Sequence, residues 1–126
     1  MKIAKKILVV DDENMIRLNL KAFLEDEGFQ VESVDSGEKA VEEFTKNSDF
    51  DAAIVDVRLP GIDGNAVVMA GHKLSPKTKY VIHTGSSEYV LNEELINIGI
   101  TEEQVLYKPL IEMQNLLDIL NKLLFG

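Results

Sequence analysis

Ala52-Ala53-Ile54-Val55-Asp56-Val57-Arg58-Leu59-Pro60-Gly61-Ile62-Asp63-Gly64 sets a carboxylate at the end of an unbroken apolar run and follows it with a proline–glycine turn. A strand apolar at every position is buried on both faces, the pattern of a parallel sheet covered by helices. Three further runs end in polar groups. Ile7-Leu8-Val9-Val10 leads into Asp11-Asp12-Glu13, Tyr80-Val81-Ile82 leads to Thr84, and Val105-Leu106-Tyr107 leads into Lys108-Pro109. In open parallel α/β sheets the ligand crevice lies beyond the carboxyl ends of the strands. That crevice would here hold three carboxylates, a hydroxyl and an ammonium, a set suited to a divalent cation and a phosphoryl group.

Between these runs the apolar spacing turns helical. Asn14–Glu27 carries Ile16, Leu20, Phe23 and Leu24 on one face, with Asp12 or Asn14 as candidate cap and Gly28 as the stop. A short strand is expected over Phe29–Val34 with Val31 and Val34 inward, and Ser36-Gly37-Glu38 opens a helix to about Lys46 striped by Ala40, Val41 and Phe44. The central strand is expected over Phe50–Asp56, the third helix over Gly64–Leu74 and the fourth strand over Tyr80–Thr84. Leu91, Leu95 and Ile98 predict a helix from about Glu88 to Ile98, closed by Gly99; a short strand follows over Gln104–Tyr107. The last helix begins after Pro109 with Met113, Leu116, Leu117, Leu120, Leu123 and Leu124 facing the core, and Ile119 and Phe125 left for a dimer or partner surface. Right-handed crossovers make this a three-layer doubly wound (βα)5 sandwich. The whole chain, 1–126, is expected to be one domain.

Composition narrows the function. The net charge of −9, from 22 acidic and 13 basic residues, argues against direct nucleic-acid binding, which needs clustered Lys and Arg. Without cysteine there is no disulfide framework and no thiolate metal site. The basic Met1–Lys6 stretch is followed by too few apolar residues for a signal-peptide core, and no run approaches membrane-spanning length, so a cytoplasmic location without membrane contact is expected. His72 and His83 lack metal-ligand spacing. His83 is expected at the sheet edge and His72 at the surface.

The four strand-end motifs, Val9-Val10-Asp11-Asp12-Glu13, Val55 to Gly64, Thr84-Gly85 and Lys108-Pro109, resemble in order those of the receiver domains of bacterial two-component response regulators. The resemblance covers nearly the whole chain. It implies a flavodoxin-like fold with strand order 2-1-3-4-5 and a cis Lys108-Pro109 bond. It implies that Asp56 accepts a phosphoryl group from a phosphohistidine on a sensor histidine kinase or phosphotransfer protein. Mg2+ would be held directly by Asp12 and Asp56, largely through water by Asp11, and by the backbone carbonyl of Arg58. Lys108 would neutralise a phosphoryl oxygen. Thr84 would turn toward the phosphoryl group and reshape the face made by helix 4, strand 5 and helix 5. Such a domain is no conventional enzyme; it catalyses its own phosphorylation and dephosphorylation. It would be a stand-alone regulator or one piece of a longer protein, monomeric or a weak homodimer, with an unnamed downstream protein target.

Each residue also has a bland role. Acidic residues after a strand often cap the next helix, a lone threonine is more often structural, and a lone lysine is usually solvated. The chain also departs from the family. Many receivers carry an aromatic ring three residues before the lysine, which swings inward with the threonine. Here that position is Val105, and Tyr107, on the same strand face, is a poor substitute. Arg58 lies where the family tunes dephosphorylation and is expected to shield the phosphoryl group from water. Two alternatives follow. A degenerate receiver would act as a phosphorylation-independent binding module. A haloacid-dehalogenase-like hydrolase would need a second aspartate two residues after the nucleophile, where Arg58 stands.

Overall fold

The computed structural model describes residues 4–47, 49–110 and 112–126; Met1–Ile3 of the basic leader reading lie outside them. The elements run β1 (Lys6–Val10), α1 (Asn14–Asp26), β2 (Gln30–Val34), α2 (Gly37–Lys46), β3 (Ala52–Asp56), α3 (Gly64–Leu74), β4 (Lys79–Thr84), α4 (Glu93–Asn97), β5 (Val105–Tyr107) and α5 (Met113–Phe125). The five strands form one sheet in the order β2-β1-β3-β4-β5, with every pairing parallel.

Successive strand residues point to opposite faces, and the two cores follow that alternation. Leu8, Val10, Ala53, Val55 and Ile82 pack with Ala40 and Phe44 of α2, Val67 and Val68 of α3 and Leu95 of α4. Ile7, Val9, Ala52, Ile54 and Val81 pack with Leu20 and Leu24 of α1 and Leu116 and Leu120 of α5. Both faces of the central strands are therefore apolar because both are covered. Removing such side chains from water stabilises by roughly 1.5–3 kcal/mol each. In the first core the Phe44 and Phe50 rings meet edge to face at 5.8 Å, a favoured aromatic geometry.

Helix starts and stops place the loops that carry the polar residues. The Ser36 hydroxyl accepts a hydrogen bond from the Lys39 amide to open α2, and the Asp63 carboxylate does the same for α3 from Ala66. Gly28 closes α1 in the left-handed region at φ +95°, a conformation that suits glycine. The first helix begins differently from expectation. Glu13, rather than Asp12 or Asn14, holds the N-cap position, without a side-chain cap. The Asp11 carboxylate instead accepts from the Glu13 amide at 2.9 Å.

The largest difference is α4. The apolar spacing predicts a helix from about Glu88 to Ile98, but only Glu93–Asn97 is helical. Asn92 is extended and its side chain accepts from the Leu95 amide, which starts the helix there. Upstream, the Tyr89 amide donates to Ser86 O at 3.2 Å and forms a turn. Leu91 is still buried in the same core as Leu95, so one stripe of apolar residues serves an irregular stretch and a short helix together. Before β5, Gln104 lies in a 3-10 turn rather than in the strand, and its buried amide donates to Tyr80 O. Ile119, expected as a partner-surface candidate, packs on the α1–α5 core. Phe125 is exposed beneath the Lys5 ammonium. No helix among the described residues is long and apolar enough to cross a membrane.

Candidate functional site

The carboxyl ends of β1, β3, β4 and β5 converge on one cluster. Asp11 directly follows β1 and is only 1% exposed; Asp56 ends β3 and is 4% exposed. Gly64, at the start of α3, lets the chain return over Asp56. A Cβ there would collide with the Asp56 carbonyl oxygen, and the Gly64 amide donates to Val57 O at 2.8 Å. The Asp56 side chain is oriented from both sides: Oδ1 accepts from the Arg58 amide at 3.3 Å, and Oδ2 accepts from Lys108 Nζ at 3.2 Å.

Lys108 follows β5 immediately, and the Lys108–Pro109 bond is cis. Its amide donates to Thr84 O at 2.8 Å, which ties the β4 and β5 ends together. The ammonium stands 3.0 Å from Asp11 Oδ2, 3.1 Å from Glu13 Oε1 and 3.2 Å from Asp56 Oδ2. Its directed hydrogen bonds go to Glu13 and Asp56. Asp11 Oδ2 is buried and, among the described residues, accepts no well-aligned hydrogen bond.

Electrostatics follow from burial. Desolvation pushes the Asp11 carboxyl up, against the lowering effect of the Glu13 amide and Lys108. Asp56 is also raised, first by desolvation and then by the charge of Asp11. Desolvation acts to lower the Lys108 ammonium, but its carboxylate partners, led by Asp11, leave it raised. The cluster therefore holds more negative charge than its one lysine neutralises, which is the setting that favours a cation.

Asp11, Asp12, Glu13 and Asp56 each offer a carboxylate oxygen, all within 4.8 Å of one another. Hard oxygen donors on this scale, with Asp11 Oδ2 buried and paired to Lys108 without a well-aligned hydrogen bond, fit a small divalent ion that keeps some of its waters. Asp12 is exposed and Arg58, two residues after Asp56, is exposed beside the cleft. Thr84 ends β4 fully buried, and its hydroxyl accepts from the Ser86 amide at 3.1 Å.

All the residues singled out in the sequence, Asp11, Asp12, Asp56, Arg58, Thr84 and Lys108, thus lie at one edge of the sheet. Glu13 is an addition. Its signal was present in the Asp-Asp-Glu run, but its ion pair spans 95 residues of chain. His83 is buried, not merely at an edge, and neither ring nitrogen has a hydrogen-bond partner among the described residues. It lines a cleft of about 180 Å³ with Ile16, Leu20 and Met113. Desolvation, with Lys108 nearby, lowers its pKa from 6.5 to about 4. His72 is half-buried.

The chain is similar to several known proteins. The Staphylococcus aureus transcriptional regulatory protein SrrA is 36% identical over 75 residues, which cover 58% of this chain and 31% of that protein. The chain thus spans about a third of the length of the curated relatives it matches. The response regulator TrrA of Thermotoga maritima, solved in complex with Mg2+ and BeF, superposes with a TM-score of 0.82 at 31% identity, covering 95% of this chain and 99% of that one. TrrA has also been solved in complex with the histidine kinase ThkA (TM-score 0.80, 31% identity, 95% of this chain and 98% of that one). A CheY-like receiver domain protein of Methanospirillum hungatei superposes at 0.81 with 30% identity, covering 96% and 94%. The model of the response regulator receiver domain matches residues 7–121, from the first buried strand into the last helix, and this chain belongs to that family.

Proposed function

We propose that the domain takes a phosphoryl group onto Asp56 from the phosphohistidine of a sensor kinase or phosphotransfer protein. The observation that carries this is the buried pair Asp11 and Asp56 bridged by one lysine, at the strand edge where a ligand would enter. An Asp56 oxygen attacks phosphorus in line. The bond from phosphorus to the histidine nitrogen breaks, and the nitrogen keeps its electron pair and takes up a proton. Transfer of this kind depends on positioning and charge neutralisation more than on a strong nucleophile. The hydrogen bonds from Arg58 N and Lys108 Nζ hold the carboxylate, and Lys108 would neutralise a phosphoryl oxygen. Asp12 and Asp56 would bind Mg2+ directly, Asp11 largely through water, with the Arg58 carbonyl completing the protein ligands. When bound, the ion neutralises phosphoryl oxygens. That TrrA is seen with Mg2+ and BeF, and with a histidine kinase, supports the reading.

Residues 1–126 would form one cytoplasmic receiver domain, with output through a protein partner. A phosphorylation-independent binding module is the alternative, favoured only by buried Val105 in the position the family fills with an aromatic ring. Incubation with acetyl phosphate, with and without magnesium, separates the two by intact mass. A magnesium-dependent phosphoryl adduct absent from Asp56→Asn supports the receiver; no adduct leaves a receiver selective for its kinase if the protein still binds magnesium, and favours the module if it does not.

A further inference from the structure

Val105 leaves the switch without its usual ring, and Tyr107 does not replace it. Tyr107 lies beside Thr84 in the sheet register but is 44% exposed. A different tyrosine packs on the same core. Tyr89, in the turn after β4, is half-buried and packs against the same core as Ile82 and Val105. Its hydroxyl donates to Asn65 Oδ1 at 2.7 Å.

This bond belongs to a hydrogen-bonded path from the Thr84 hydroxyl to the start of α3. The Thr84 hydroxyl accepts from the Ser86 amide at 3.1 Å. Ser86 O accepts from the Tyr89 amide at 3.2 Å. The Tyr89 hydroxyl reaches Asn65, which follows Gly64, the residue packed on the Asp56 backbone. The Asn65 end of the path adjoins the phosphoacceptor backbone, and the Thr84 end lies one residue past His83, the register partner of Asp56. Val90, the next residue, is among the most exposed apolar side chains.

We propose that Tyr89 is the aromatic positioning residue of the Thr84 switch, held by Asn65 in the unphosphorylated state and released when the Thr84 hydroxyl leaves the Ser86 amide for a phosphoryl oxygen. The inference rests on the phosphoacceptor reading. Facing a phosphoryl oxygen, the threonine must donate its proton and rotate, so the Ser86 amide loses its acceptor. The Ser86–Tyr89 turn then loses its anchor, and the ring moves with it and carries Val90. An interaction present in one state only opposes the other state by its own free energy. The Tyr89–Asn65 bond therefore weakens phosphoryl binding, and deleting it strengthens that binding about fivefold, the worth of one ordinary hydrogen bond.

The chain has three tyrosines and no tryptophan, so 3-fluorotyrosine labelling gives a sparse fluorine NMR spectrum, assigned by Tyr→Phe variants. The full chain is titrated with beryllium fluoride at saturating magnesium, and bound fluoride reports occupancy in the same spectrum. The expected result is a Tyr89 resonance that shifts with occupancy and stays fixed in Thr84→Ala. Unlabelled Tyr89→Phe and Asn65→Ala each bind the probe about fivefold more tightly, and the double variant gains no more than either single one. A purely structural tyrosine would change thermal stability without changing that affinity. Bound fluoride with an unmoved Tyr89 resonance, or unchanged affinity in Tyr89→Phe, overturns the proposal and leaves Asp56 as phosphoacceptor. If wild type yields neither bound fluoride nor an acetyl phosphate adduct, the phosphoacceptor reading fails and this proposal falls with it.

Discussion

Burial at single residues gives the cluster its chemistry and its pH dependence. Asp11 and Asp56 have raised pKa values, so the folded state holds their protons more tightly than the unfolded chain does. Their contribution to stability falls as pH rises from the ordinary carboxylate value through the raised one. His83 acts in the opposite direction. With its pKa lowered from 6.5 to about 4, the unfolded chain binds its proton more readily, and stability falls as pH drops through that window. Replacing it, as in His83→Leu, should shrink the loss of stability between pH 7 and pH 4 by up to roughly 3 kcal/mol; denaturant unfolding at the two pH values measures this, and an unchanged difference would show that His83 is not buried neutral. Arg58 is the exposed residue next to the acceptor. Arg58→Ala should hasten loss of the phosphoryl group by admitting water, and an unchanged dephosphorylation rate would refute a shielding role. The acidic triplet, the threonine and the lysine were legible because each ends an apolar run. The contribution of Glu13 was not, since a side chain pairing across 95 residues leaves no local pattern.

At the scale of elements, the loops are held by the helix starts. Gly64 begins α3 where any Cβ would meet the Asp56 carbonyl, so Gly64→Ala must push α3 or β3 aside. Overpacking of this kind costs about 1–3 kcal/mol, and here it should also slow phosphoryl acceptance, because the displaced backbone carries the acceptor. A thermal melt beside an acetyl phosphate time course tests this; a variant that loses stability and phosphorylates at the wild-type rate would contradict it. The strands and α3 were readable because long apolar runs and capping residues agree. Periodicity predicts too long a helix α4 because it reports which residues are buried, and Leu91 is buried from the irregular stretch before Asn92 as well as it would be from a helix. Asn92 was the missed signal, a capping residue inside the apolar stripe.

For the molecule as a whole, the sheet order and the two cores bring residues from four strand ends to one edge. That edge carries an excess of buried negative charge that only the folded chain assembles. A cation bound there stabilises the fold by mass action, by about 2.7 kcal/mol at a hundredfold excess over its dissociation constant. Magnesium should therefore raise the unfolding midpoint of wild type and raise it much less in Asp11→Asn; equal shifts in both proteins would place the ion elsewhere.

The decisive measurement is chemical. Protein treated with acetyl phosphate and magnesium is reduced with borohydride, which converts an aspartyl phosphate to homoserine, and is then mapped by peptide mass spectrometry. Homoserine at position 56 and at no other aspartate is the expected result. A phosphoryl adduct whose reduction product lies at another residue, or that yields none, would contradict Asp56 as the acceptor.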